Sequence, residues 1–154
     1  ARDPVLRLSQ PYIFSIEQQH SAFREELERF LDDLKPERFS KATLKSVAQN
    51  INSSWTQSGH LSGRVKKTRT RARATPGVVA YMLLLGFLTG ARGQNLFNTE
   101  YAKLLDTSAD NLAELAETAS RKGWITFNRI GNVIEVLFPN LLTGKEMEWV
   151  REQN

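Results

Sequence analysis

The sequence predicts a mainly α protein with short β-hairpins, built as two lobes that share one core. Three observations carry this. Apolar residues recur at three- and four-residue spacing in several separate stretches, the signature of amphipathic helices. Two alternating apolar runs, Trp124 to Arg129 and Val133 to Phe138, flank Ile130-Gly131-Asn132 and read as a hairpin. Near the end of the first lobe lies a run in which Arg or Lys alternates with Thr, Val and Ala, a pattern that favours extended chain.

The elements follow in order. Residues 1–17, with Pro4 and Pro11, read as irregular, with a short extended segment from Tyr12 to Ile16. From about Gln19 to Leu34, Phe23, Leu27, Phe30, Leu31 and Leu34 mark a helix, and Lys35-Pro36 ends it. Ser40 is an N-cap for a helix running to about Ser58, stopped by Gly59. Its apolar stripe is Leu44, Val47, Ala48, Ile51 and Trp55, and the opposite side carries Lys41, Lys45, Gln49, Asn52, Ser53 and Thr56. Thr75-Pro76 supplies a cap and first position for an apolar helix to about Thr89, with apolar residues nearly all round, as a central core element requires. A short helix from Thr99 to Leu105, a turn at 106–108 and a longer helix from Ser108 to Lys122 follow; Gly123 ends it. After the hairpin, a last helix near Lys145 to Arg151 closes the chain. The lobes divide at 75/76.

Charge is unevenly spread. The net charge of +4 conceals 14 basic and 8 acidic residues in 1–75 against 7 and 9 in 76–154. Residues 64–73 hold six cations (Arg64, Lys66, Lys67, Arg69, Arg71 and Arg73) and no acid. Such a block repels itself, and a polyanion that neutralises it is the economical explanation. The absence of cysteine excludes a disulfide scaffold and thiolate chemistry. No Ser-His-Asp set or carboxylate cluster with metal spacing is present, so the expectation is a protein without catalytic residues, cofactor, metal or small-molecule substrate. The first twenty residues lack the apolar segment of a signal peptide, and Val78 to Leu88 is too short to span a bilayer, so a cytoplasmic protein without membrane partner is expected.

Helix, short helix, turn, longer helix and hairpin over residues 76–138 resemble the winged helix-turn-helix superfamily, whose third helix usually enters the major groove. The resemblance implies a reading role for the 109–122 helix. Its exposed side, however, offers Asp110, Asn111, Glu114, Glu117 and Thr118, and carboxylates oppose a phosphate backbone. The first lobe supplies the complementary charge: Lys41, Lys45, Gln49 and Asn52 would face a groove, and the 64–73 run would act as a wing or arm on phosphates. The expected partner is double-stranded DNA, with other proteins of a multi-component complex as further partners.

The segment from Phe39 to Leu61, with Ser40, Thr43 and Val47 at the spacing Ser-x-x-Thr-x-x-x-hydrophobic and the closing Gly59-His60-Leu61, resembles the BrxA-like proteins of BREX phage-exclusion systems. That resemblance implies a small, non-catalytic DNA-binding component acting beside a methyltransferase and large ATPases in bacterial defence. The alternative is an assembly adaptor whose basic segment docks on an acidic partner.

Overall fold

The computed structural model describes residues 3–153 and divides into two compact units, the first ending at Ala72 and the second beginning at Arg73. The division falls three residues before the one read from the sequence. It is mainly helical with two small antiparallel sheets.

The first unit opens with α1 (Pro4–Ser15). The chain expected to be irregular here is helical, and the extended segment expected from Tyr12 to Ile16 lies mostly inside the helix. Asp3 caps α1, its carboxylate accepting from the amides of Val5 (2.8 Å) and Leu6 (3.2 Å), and Pro4 takes the first helical position, where a missing N–H costs nothing. Pro11 does cost an interior bond, on an exposed side of the helix. Tertiary contacts offset it: Ile13 is fully buried, and the Trp55 indole donates to the Ser9 hydroxyl at 2.9 Å in the interior.

Strand β1 (Ser21–Ala22) replaces the first turn expected of the next helix, so α2 runs only from Arg24 to Leu34. Long-range pairing decides this. The Gln19 amide donates to the Arg69 carbonyl and the Arg69 amide to that of His20, both at 2.8 Å. Helix α3 (Lys41–Gln57) matches its expected bounds, with the Ser40 hydroxyl accepting from the Thr43 amide at 3.2 Å. Gly59, at φ +84°, releases the chain from the helix, as its lack of a Cβ permits.

Strands β2 (Leu61–Ser62) and β3 (Lys67–Arg69) then form a hairpin, with Leu61 opposite Arg69 and Ser62 opposite Thr68. On its other side β3 pairs with β1, giving a three-stranded sheet in the order β1-β3-β2. The unit thus reads helix, strand, helix, helix, hairpin. Its buried apolar side chains include Ile13, Leu27, Leu31, Leu44, Ala48, Ile51, Trp55 and Leu61.

The second unit follows the expected order closely. Helix α4 (Pro76–Leu88) is capped by Thr75, a 3-10 helix spans Gly93–Phe97, and α5 (Glu100–Leu104) and α6 (Ala109–Arg121) begin at the caps Thr99 and Ser108. Strands β4 (Thr126–Ile130) and β5 (Val133–Leu137) pair with Ile130 opposite Val133, leaving Gly131-Asn132 as a two-residue turn. Helix α7 (Gly144–Gln153) starts from a reciprocal cap. The Thr143 amide donates to the Glu146 carboxylate at 2.7 Å and the Glu146 amide to the Thr143 hydroxyl at 3.3 Å. These bonds hold the Glu146 carboxyl below its ordinary pKa.

A single apolar cluster from Val79 to Val150 joins α4, the 3-10 helix, α5, α6, both strands and α7. Its residues all belong to this unit. Helix α4 is less enclosed than its composition suggested: Val79 and Leu83 are fully buried, but Tyr81 is 60% exposed. No helix among the described residues is long and apolar enough to cross a membrane.

Candidate nucleic-acid interface

In the first unit the local rules of helix and hairpin place cations on two adjoining elements in sequence. Helix α3 contains no acidic residue. Its buried stripe of Leu44, Ala48, Ile51 and Trp55 fixes its rotation against α1 and α2, and that rotation decides which polar residues reach solvent. Lys41, Lys45 and Gln49 are exposed, one turn apart.

Asn52, expected beside them, is not. It is 6% exposed, and its side-chain oxygen has no hydrogen-bond partner. At 3.6 residues per turn, Asn52 falls on the flank of the stripe, close enough to Trp55 and Ala48 to be drawn inside. It cannot meet a base edge without rotating the helix.

The basic run is divided in the same way. Arg64 and Lys66 are exposed at the hairpin tip, on either side of Val65, which is 99% exposed. Gly63 makes this tip possible: its φ is +106°, and a Cβ there would sit 2.1 Å from the Lys66 carbonyl oxygen. Lys67 is half-buried, its ammonium donating to the Gly63 carbonyl at 2.6 Å, so it braces the loop. Arg71 and Arg73 are exposed after the sheet, Arg73 as the first residue of the second unit.

Arg69 is the exception among the six. It is 2% exposed. Its guanidinium donates to the carbonyls of Ile13 and His60, each at 3.2 Å, and to that of Thr70, and lies 5.0 Å from the centre of the Phe14 ring. Strand period does not separate it from Lys67, which lies two residues away on the same side of β3. Arg69 is held inward by the carbonyls and the ring that surround its guanidinium, whereas Lys67, nearer the hairpin tip, turns its ammonium to Gly63. Arg69 is a structural cation, unavailable to phosphate.

The outermost side of α3, opposite its buried stripe, belongs to residues the sequence reading passed over. Ala42, Ser46, Asn50 and Gln57 are exposed there, together with Gln49 and Ser53. The signal was present, since steps of three and four from Ala42 reach each of them.

In the second unit, α6 keeps the acidic character read from the sequence. Asp110, Glu114 and Glu117 are exposed, with Arg121 and Lys122 only at its end. Arg92 is engaged with the end of α4, donating to the Phe87 carbonyl at 2.8 Å and lying 3.9 Å from the Phe87 ring centre. Arg129 is exposed on β4. An open, apolar groove of about 230 Å³ lies between Tyr81, Leu84, Trp124 and Leu141. No group of three or more His, Asp or Glu side chains among the described residues is placed to hold a metal ion.

No family model, no curated protein and no solved structure matches this chain.

Proposed function

We propose that the chain is a non-catalytic protein that binds double-stranded DNA through its first unit, with α3 in the major groove and the β2–β3 hairpin as a wing on the backbone. The observation that carries this is the acid-free α3, with Lys41, Lys45 and Gln49 exposed, leading directly into a hairpin whose tip exposes Arg64 and Lys66. Helix, strand, helix, helix and hairpin, with the first strand paired to the last, is the element order of a winged helix, and the second unit repeats it with a 3-10 helix in place of the first strand. In that arrangement the helix before the hairpin reads the groove. Tandem winged-helix lobes are therefore part of the proposal.

Charge favours the first unit over the second as the binding lobe. Phosphate oxygens accept from Lys and Arg, and the carboxylates of α6 repel them. The cytoplasm is where such a substrate lies, and the resemblance of 39–61 to BrxA-like proteins supports a place in a bacterial phage-defence or regulatory complex.

Fluorescence anisotropy on a labelled duplex at two salt concentrations tests the reading. Affinity should fall with salt, and the Arg64→Ala/Lys66→Ala and Lys41→Ala/Lys45→Ala variants should each flatten that dependence by about two units of log–log slope. A salt-independent signal, or variants that bind as the parent does, would defeat it.

The exposed carboxylates of α6 and the open Tyr81–Trp124 groove favour a second reading, in which the second unit is the surface for a protein partner. Co-purification of a partner with no shift of any duplex would support that adaptor role.

A further inference from the structure

We infer that α3 prefers A·T base pairs, reading adenine through Gln49 and Asn50 and the thymine methyl through Ala42, an inference that rests on the duplex-binding reading above. The outward stripe of α3 consists of Ala42, Ser46, Gln49, Asn50, Ser53 and Gln57, all exposed. It holds amides, hydroxyls and one methyl, and neither arginine nor carboxylate.

The edges of the bases discriminate among such side chains. Adenine presents an acceptor, N7, beside a donor, N6, and a carboxamide presents the matching donor and acceptor side by side. Guanine presents two acceptors, N7 and O6, and calls for a two-donor group such as a guanidinium, which the stripe lacks. A carboxamide facing guanine sets its carbonyl against O6 and leaves a buried acceptor unsatisfied. Cytosine offers an amino donor, for which a carboxylate is the usual acceptor, and α3 has none.

Position along the helix agrees. Ala42 lies in the first turn and Gln49 and Asn50 two turns on, about 10–12 Å along the axis, so their side chains address base pairs about three steps apart in one groove. Ser46 and Ser53, between and beyond them, are short, which lets the helix approach the base edges closely. Lys41 and Lys45 sit a quarter-turn aside, towards the sugar-phosphate wall.

Three labelled duplexes of equal length, alternating A·T, alternating G·C and alternating I·C, test this with the full chain by anisotropy. The I·C pair carries the two acceptors of guanine in the major groove but, like A·T, no amino group in the minor groove. The A·T duplex should bind about tenfold more tightly than either of the others. The Gln49→Ala/Asn50→Ala variant should lose that advantage while keeping its salt dependence and its circular dichroism melt. Equal affinity for A·T and G·C, I·C binding as tightly as A·T, or a variant that keeps the preference would each overturn the inference and leave duplex binding intact. Failure to bind all three would overturn the duplex-binding reading itself.

Discussion

Two arginines of the same basic run should behave oppositely when replaced, and the contrast tests the division between its exposed and buried cations. Arg69→Met keeps an apolar stem inside the first unit but removes the guanidinium. The Ile13 and His60 carbonyls would each retain one backbone donor, from Ile16 at 3.3 Å and Thr70 at 2.9 Å, so neither is wholly orphaned. What is lost is up to three charge-assisted bonds and the contact with Phe14, partly offset by no longer burying a charge. Hydrogen bonds to charged groups contribute about 1.5–3 kcal/mol each when measured singly, and the retained donors set a net cost of about 2–4 kcal/mol.

That cost is large for a unit of this size. At about 0.05–0.15 kcal/mol per residue, the segment up to Ala72 has a total stability of about 4–11 kcal/mol. At about 4–8 °C per kcal/mol, its calorimetric transition should fall by about 10 °C or more. Arg64→Met, at the exposed hairpin tip, should move the same transition by less than about 0.5 kcal/mol equivalent and instead lower the salt slope of duplex binding by about one. If Arg69→Met melted like the parent and weakened DNA binding as Arg64→Met does, the assignment of Arg69 to the interior would be refuted.

Three further outcomes are expected. Gly63→Ala forces a Cβ into the Lys66 carbonyl at a φ of +106°, so the hairpin must reopen; a loss of about 1–3 kcal/mol in urea unfolding checks it, together with weaker duplex binding. Ser108→Ala removes the hydroxyl that accepts from the Asn111 amide at 3.2 Å and should cost the second unit about 1 kcal/mol, measured by thermal melting. The Tyr12 hydroxyl is pushed up to about 12 by burial and the neighbouring Glu26 carboxylate. The folded state therefore holds this proton more tightly than the unfolded chain, and the stability it confers is complete below pH 10 and lost as pH rises towards 12. Compared with Tyr12→Phe, the parent should lose about 1 kcal/mol or less across that window once solvent screening of this half-buried group is allowed for, and urea midpoints on both sides of pH 10 measure it.

Much of the second unit was legible in advance because its signals are local. Thr75 and Ser108 each accept from an amide three residues on, and Gly123 adopts φ +78° after α6, as their positions in the sequence suggested; Thr99, read as the first residue of its helix, caps it in the same way. The first unit was less so. Two prolines concealed α1, although Asp3-Pro4 is itself a cap and first position. Strand β1 was hidden because Ser21-Ala22 carries no periodicity of its own and becomes a strand only by pairing with Lys67 and Thr68, more than forty residues on. The candidate site shows the same limit. Lys41, Lys45, Gln49, Arg64, Lys66, Arg71 and Arg73 lie in solvent as residue type suggests, but Asn52 and Arg69 do not.

The sequence by itself determined the helices of 41–57, 76–88 and 109–121, the hairpin around Gly131-Asn132 and the placing of basic charge in the first half. Each depends on caps, periodicity or composition, all of which act between residues a few positions apart. Only the tertiary structure decided which of six consecutive-looking cations is a surface charge and which is a strut, and that Asn52 at the flank of α3 is covered rather than exposed. Both depend on partners remote in sequence: Arg69 is held by the Ile13 carbonyl and the Phe14 ring, more than fifty residues away, and Asn52 flanks the stripe by which α3 packs on α1 and α2.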